Sequence, residues 1–153
     1  MPTLLLALAV LSTGLYAGFM LIFLTGVMPA LARLTDEQFV TVMRRVNEYV
    51  PRAAFLTVFA GVVVFPALAL ALPGQGGPGA RRWLILAGLV CAALTHLVTV
   101  VGNVPLNNAL AASDDGEPGP ARQAFESRWN TFHLFRTVLI TASFVLLVTA
   151  SLT

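Results

Sequence analysis

The stretch WLILAGLVCAALTHLVTVVG, residues 83–102, decides the fold. It has no acidic residue, no lysine and no arginine, and at 1.5 Å per helical residue it is long enough to cross the ~30 Å hydrocarbon layer of a membrane. The whole chain shares this character. Of its 153 residues, 58% are hydrophobic and 10% are charged, whereas soluble domains carry about 25% charged residues. The sequence therefore predicts an integral membrane protein.

Four stretches have the length of a membrane span, at about 4–31, 53–73, 82–104 and 130–152. They predict an all-α fold, an up-down bundle of four transmembrane helices that forms a single domain over residues 1–153. Four spans place both termini on one side of the membrane, together with the Pro- and Gly-rich loop at 73–82. We call the opposite side, which holds the connections 32–52 and 107–129, side B.

The arginines predict the orientation of the bundle. Six of the nine lie on side B and two lie on the side of the termini. The positive-inside rule therefore favours side B in the cytoplasm and both termini outside, in a bacterial plasma membrane. Residues 1–32 carry no charged side chain and are too long for the apolar core of a signal peptide, so we interpret them as a retained span.

The first side-B connection is predicted to be a short amphipathic helix over residues 35–50, between the first two spans. Thr35 and Gln38 have the spacing of a capping box at its start. An apolar stripe at helical spacing comprises Phe39, Val42, Met43, Val46 and Val50. We expect this helix to lie at the membrane surface and to pack on the end of the bundle. Asn47, at the edge of the stripe, is a candidate to lean into the bundle.

Polar side chains gather at the start of the fourth span, where apolar residues are the rule. An ionisable group at membrane depth is costly, and it is rare unless it faces an interior cavity. Trp129, His133 and Arg136 are spaced i, i+4 and i+7, so they project from one helix face, with Asn130 beside them. This spacing predicts a polar stripe just below the side-B surface.

The third span carries a matching stripe at the same depth. Its members are His96, Thr99, Asn103 and Asn107. They fall within an arc of about 80° at 100° per residue. Pro105 cannot donate a backbone hydrogen bond, so we expect the helix to kink or end there. Since freed carbonyls at this depth need partners, residues 102–108 are predicted to form a wall of a polar pocket.

Structural interpretations compete with these functional ones. Asn103 and Asn107 could join helices by hydrogen bonds worth about 0.6–2 kcal/mol in lipid. Arg136 could extend to the headgroups, and His133 could be a structural hydrogen-bonding residue. For His96, which is deeper and has no acidic neighbour, the structural interpretation is the stronger one.

Three residues of the first span also allow a structural interpretation. Gly14 and Gly18 form a pair of small residues one turn apart, which predicts close helix packing. Tyr16 lies between them and is either a phenol in the pocket or a packing residue.

Several classes of function are disfavoured. No basic run suggests nucleic-acid binding, and the single Cys91 cannot form an intramolecular disulfide. The spans contain no acidic residue, which argues against proton transport through a carboxylate and against a carboxylate-rich di-iron site. No spacing of Cys and His suits structural zinc. His96 and His133 differ in depth by ~10 Å at 1.5 Å per residue, which is unsuitable for opposed haem ligands.

Four segments resemble the anthrone oxygenase-like family of small membrane proteins. They are MPAL (28–31), MRRVNEYV (43–50), NVPLNN (103–108) and WNTFHLFR (129–136). The resemblance covers essentially the whole chain, and its most specific elements are the Asn-x-Pro-x-Asn and Trp-x3-His-x2-Arg patterns. It implies oxidation of polycyclic anthrones to anthraquinones, with O2 as co-substrate and no added cofactor, in polyketide pathways.

The residues suggest how such chemistry would proceed. An anthrone has an acidic C–H, and its enolate can pass an electron directly to O2. His133 is the predicted general base, and Arg136 would stabilise the enolate oxygen with Asn103 and Asn107 as donors. Trp129 would stack on a flat substrate. The other predicted substrate-binding residues are Asn130, Thr99, Asn47 and Tyr16.

Two other functions fit the same pattern. The first is a non-catalytic membrane protein that holds a lipid, quinone or polyketide for a partner enzyme, which predicts copurified ligand and no O2 uptake. The second is a redox protein with a metal or haem bound through His133, which predicts colour or bound metal. In every case, the expected partners are the lipid bilayer and a small apolar aromatic molecule, with no nucleic acid.

Overall fold

The computed structural model describes residues 2–72, 79–113 and 116–153, and these are helical apart from short turns. Seven α-helices and two π-helical segments follow one another along the described chain. They are α1 (Pro2–Ile22), π1 (Phe23–Val27), α2 (Met28–Leu31), α3 (Asp36–Tyr49), α4 (Ala53–Ala71), α5 (Ala80–Val98), π2 (Thr99–Asn103), α6 (Val104–Ala111) and α7 (Pro118–Leu152). Most of the predicted loop 73–82 and the acidic pair 114–115 lie outside the described residues.

The predicted four-helix architecture is confirmed. Within the described residues, four helical stretches are long and apolar enough to cross a membrane: Thr3–Leu31, Ala53–Ala71, Ala80–Ala111 and Pro118–Leu152. In the bundle, α7 packs on α5 and α1, and α4 packs on the same two helices. Leu6, Ile85 and Leu147 share one apolar cluster, so α1 begins and α7 ends at the same end of the bundle. This arrangement is consistent with a multi-pass membrane protein.

Two predicted boundaries are wrong, both on side B. The third span continues to Ala111 instead of ending near residue 104, and the fourth begins at Pro118 instead of residue 130. Hydropathy detects the apolar run of a helix and not its more polar continuation, and only one face of each side-B extension packs on α3. Phe125, on the extension of α7, is buried against Phe39 of α3 with ring centroids 6.2 Å apart.

Each of the two π-helical segments precedes a proline. Pro29 and Pro105 both lie in the first turn of the helix that follows, α2 and α6. The N–H of Val104 bonds to the carbonyl of Thr99, five residues back, so the chain stays helical through Pro105. The expected irregularity is present, but it is a π-bulge, a feature frequent at functional sites, and the helix does not end.

Helix α3 packs on the side-B end of the bundle, as predicted. Both halves of the capping box are present, since Thr35 and Gln38 exchange side-chain and backbone hydrogen bonds. Phe39 and Met43 are fully buried, whereas Val42 of the predicted apolar stripe is 37% exposed. Val40 is buried instead, because α3 packs on α6 and α7 together and so buries a wider face.

Close packing of the spans depends on particular glycines. A Cβ at Gly14 would lie 2.9 Å from the ring of Phe144, whereas one at Gly18 would meet nothing within 4 Å. The predicted packing role therefore holds for Gly14 and is wrong for Gly18, which is exposed. Gly88 provides a second close contact, because a Cβ there would lie 3.0 Å from Leu147.

Candidate functional site

A cavity of about 1050 Å³ lies between α3 and the spans, at the side-B end of the bundle. Its apolar lining includes an aromatic wall formed by Phe19, Phe23, Phe55 and Phe59. Its polar wall comes from the third and fourth spans and includes Thr99, Asn107, Trp129 and Arg136. Helix α3 supplies a third wall, which includes Thr41, Arg44 and Asn47. The two predicted polar stripes therefore meet beneath α3.

Arg136 is the most unusual residue of this cavity. It is only 8% exposed, and its guanidinium carbon lies 5.1 Å from the centre of the Trp129 ring. Its Nε donates a hydrogen bond to Nδ1 of His133 at 3.1 Å. Within the described residues it has no carboxylate partner, and its other N–H groups have no hydrogen-bond acceptor. A cation thus lines the cavity with no carboxylate of the described residues within ion-pair distance.

His133 lies directly behind Arg136 and is fully buried. Its Nε2 is 3.0 Å from the carbonyl of Met20, and its Nδ1 accepts from Arg136. The two contacts require the tautomer with a proton on Nε2, so the imidazole is neutral and both nitrogens are occupied. His133 does not line the cavity. This placement argues against the predicted general base, because no nitrogen is free to take a substrate proton.

Trp129 forms part of the wall with its ring already stacked. The ring centroids of Trp129 and His133 are 4.8 Å apart with an interplanar angle of 18°, and Phe125 stacks at 6.0 Å. These partners lie one helical turn above and below Trp129, so both faces of the indole are covered. This packing argues against the predicted stacking of Trp129 on a substrate. Its Nε1 donates to Oδ1 of Asn107 at 2.9 Å instead.

The two predicted asparagines of the third span differ in position. Asn103 is 1% exposed and does not line the cavity, and its Nδ2 donates to the carbonyl of Trp129 at 3.2 Å. It joins two helices, as the structural interpretation held. Asn107 lines the cavity, and its amide N–H groups have no acceptor among the described residues. It is therefore the asparagine available to a ligand.

Tyr16 lies near the guanidinium of Arg136, and Thr99 lies near the hydroxyl of Tyr16. Tyr16 is fully buried, with its ring 5.7 Å from Phe55 and 5.6 Å from Phe59. Its hydroxyl interacts electrostatically with Arg136 and approaches Thr99, but completes no hydrogen bond with a described residue. Tyr16 thus supports the aromatic wall from behind, whereas Thr99 is in the cavity surface.

Most of the chain matches a known protein family. A family model described as anthrone oxygenase matches residues 39–146, from α3 into α7. The chain belongs to the anthrone oxygenase family. The resemblance found in the sequence is thereby confirmed, and membership suggests an oxygenase-like role. No curated protein and no solved structure matches the chain.

In this anthrone oxygenase family member, most of the cavity comes from the matched segment. Asn47, Asn107 and Arg136 all lie within residues 39–146. Phe19 and Phe23 precede the match, so α1 adds an aromatic part of the wall from outside it.

Asn130 and His96 lie away from the cavity. Asn130 lines a separate groove with Arg122 and Glu126, so it does not join the predicted stripe. His96 has its two nitrogens 2.9 Å from the carbonyl of Phe59 and 3.0 Å from that of Ala92. Its ring stacks on Phe59 at 3.8 Å. The structural interpretation of His96 is confirmed, since it joins α5 to α4.

The sequence reasoning missed the aromatic wall. Phe19 and Phe23, like Phe55 and Phe59, are spaced i, i+4, a signal that could have shown two rings on one helix face. It also missed Arg44, whose Nε donates to the carbonyl of Leu110 at 3.0 Å and so fixes α3 to the end of α6. Among the described residues, no three His, Cys, Asp or Glu side chains come together as a metal site.

Proposed function

We propose that this member of the anthrone oxygenase family oxidises an anthrone-like or similarly acidic phenolic molecule with O2 inside the cavity. The observation that carries the proposal is Arg136, a buried cation that lines an aromatic cavity without a carboxylate partner among the described residues.

The charge of Arg136 supports an anionic ligand. Burying an unpaired charge costs several kcal/mol, and the cost is tolerated where function needs the charge. The free N–H groups of the guanidinium can donate to one oxygen in the fixed fork that suits oxyanions. Asn107 adds a neutral donor on the same wall. Together they would stabilise an enolate or phenolate oxygen.

The aromatic wall supports a flat, apolar ligand. Four phenylalanines from α1, π1 and α4 line the same cavity as the polar wall. Aromatic rings pack on one another in offset or edge-to-face geometry and gain about 0.5–1.5 kcal/mol per pair beyond the burial of area. A ring system between these phenylalanines would place one oxygen toward Arg136. The ligand is therefore expected to be an aromatic molecule with an ionisable oxygen.

The oxidation itself needs only O2 as the oxidant. Loss of one proton from the activated CH2 group gives the enolate, which transfers one electron to O2. The two radicals join to give a peroxide anion, which takes up one proton from cavity water to give the hydroperoxide. Loss of the second C–H proton with cleavage of the O–O bond then gives the ketone and hydroxide, which takes up a proton. The balance is one CH2 and one O2 to one C=O and one H2O.

We propose that His133 positions Arg136 and does not act as the base. A neutral imidazole fixed by Met20 holds the guanidinium Nε and so directs its remaining N–H groups. The substrate proton would leave to cavity water, since the anion is stabilised once it forms. Two carboxylates line the cavity on α3, Glu37 and Glu48, and Glu48 is paired with Arg45 at 3.0 Å.

The experiment is O2 uptake by detergent-purified protein with a panel of anthrones. We expect uptake and anthraquinone formation in a one-to-one ratio, above the rate of spontaneous oxidation and above that of Arg136→Met. No enzyme-dependent uptake with any anthrone that binds would contradict the proposal. Metal and haem content measured on the same sample tests the alternative of a metal-dependent redox protein.

A binding or accessory function is the second candidate. The observation that favours it is that both nitrogens of His133 are occupied, which leaves no free imidazole at this depth among the described residues. A carrier would bind the same anionic aromatic molecules and release them unchanged. Ligand that copurifies with the protein, without O2 uptake, would favour this function over the oxygenase.

A further inference from the structure

We infer that the cavity opens sideways into the lipid between α4 and α6, and that the ligand enters from the membrane through this opening. The inference rests on the proposed function, because it takes the ligand to be a flat, apolar aromatic molecule. It adds the route by which that ligand reaches Arg136. Leu56 of α4 and Val104 of α6 form the two sides of the entrance.

Leu56 lies where the cavity wall of α4 meets the outer surface of the helix. It lines the cavity and is 48% exposed. At 100° per residue it projects between Phe59, which lines the cavity, and Val64, which is exposed and outside the lining. Because α4 is one of the four membrane-spanning helices, its outer surface faces lipid. Leu56 therefore borders both the cavity and the hydrocarbon layer.

Val104 has the corresponding place on α6. It lines the cavity and is 39% exposed. It projects between Asn107, which is on the cavity wall, and Pro105, which is exposed and outside the lining. Val104 lies about two helical turns from the side-B end of α6, and Leu56 about one turn from that of α4. Both side chains are therefore below the side-B surface of the bundle.

The packing of the helices closes the cavity on its other sides more completely. α4 makes its main contacts with α1 and α5, whereas α6 packs on π2, α7 and α3. Between α1 and α4, Phe19 and Phe55 meet edge to face with ring centroids 6.1 Å apart. Deeper between α4 and α5, the ring of His96 stacks on Phe59 at 3.8 Å. The gap between α4 and α6 lies on the side-B side of this last contact.

The chemistry of the entrance suits a molecule that comes from lipid. An apolar ring system concentrates in the bilayer, because each Å² of apolar surface removed from water contributes about 25 cal/mol. Leucine and valine at the two sides let such a molecule pass without entering water. The part of the cavity beneath α3 is different, since its lining includes the exposed and charged Glu37, Arg45 and Glu48. That part suits water and protons.

The test measures entry without oxidation. Cys91→Ala removes the native thiol, and Thr99→Cys places one thiol on the cavity wall. This parent protein, in liposomes, is labelled with N-phenylmaleimide, a flat apolar reagent, and the rate is followed by mass. Leu56→Trp and Val104→Trp are then added separately to fill the entrance. Val101→Trp is the matched control, because Val101 is on the same span, 63% exposed and outside the cavity lining.

We expect Leu56→Trp and Val104→Trp each to slow labelling about 10-fold or more, because an indole buries about 150–250 Å² and fills the gap, whereas Val101→Trp should label within about twofold of the parent. Melting temperatures show which variants are folded, and two entrance variants on different helices check each other. Equal rates in all folded proteins, or no labelling of Thr99→Cys, overturns the inference. Labelling does not depend on oxidation, so O2 uptake with anthrone by the wild type separates this failure from failure of the oxygenase proposal.

Discussion

Replacing Arg136 by methionine should separate ligand binding from stability. The substitution removes the guanidinium but keeps an unbranched apolar side chain of similar reach. In the structure, Arg136 donates one protein hydrogen bond, to His133, and has no carboxylate partner among the described residues. The wild type therefore bears the cost of burying this charge with little compensation from the protein.

The magnitudes follow from these contacts. Loss of one hydrogen bond from a charged donor costs about 1.5–3 kcal/mol, whereas desolvation of a buried ion costs several kcal/mol. The free energy of unfolding should therefore be unchanged or higher in Arg136→Met. An anionic oxygen loses a charge-assisted bond of about 1.5–3 kcal/mol, so its affinity should fall about 10- to 150-fold.

Two assays on the same preparations test this prediction. Thermal unfolding in detergent measures stability, and quenching of tryptophan fluorescence by an anionic hydroxyanthraquinone measures affinity. Arg128→Met is the matched control, because Arg128 lies on the same helix but is exposed and does not line the cavity. A variant that melts well below the wild type while it retains ligand affinity would refute the reasoning and make Arg136 a structural residue.

Three further changes have defined outcomes. His133→Leu should reduce ligand affinity about 10-fold, because the Arg136 side chain is no longer held in place, and His133→Gln should restore part of the affinity. The pH–rate profile should not shift in either variant. A shifted profile would instead indicate that His133 is a base. Gly88→Ala should cost about 1–3 kcal/mol of stability, since the added Cβ would lie 3.0 Å from Leu147. The control Gly18→Ala should melt like the wild type, because a Cβ there would meet no atom within 4 Å. Thr35→Ala should cost about 0.5–2 kcal/mol by removing the capping box of α3; unchanged unfolding would show that α3 is held by its packing alone.

The fold could be predicted from the sequence because each span is a long apolar run with its own internal hydrogen bonds. Local patterns were equally informative where a side chain acts within its own segment, as in the Thr35 and Gln38 capping box. The helix ends on side B were not predictable from hydropathy. Phe125 and Phe39 cover each other there, and that contact joins segments far apart in sequence.

The candidate site could be predicted as a region but not in detail. Helical spacing correctly placed Trp129, His133 and Arg136 on one face, because the period of a helix fixes direction. It could not show that His133 faces Met20 across the bundle, or that Asn130 faces a separate groove. Those positions depend on the rotation of each helix against its neighbours, which the packing of all four spans determines together.

The most direct measurement is the absorption spectrum of a hydroxyanthraquinone bound to the wild type and to Arg136→Met, because the ionised and neutral forms of these compounds differ in colour. The pH is set where the free compound is mainly neutral. If Arg136 holds the anionic oxygen of the ligand, the compound bound to the wild type will show the spectrum of the anion, and the compound bound to Arg136→Met will show that of the neutral form. A neutral spectrum in the wild type, or the same spectrum in both proteins, would contradict an anion-binding site at Arg136.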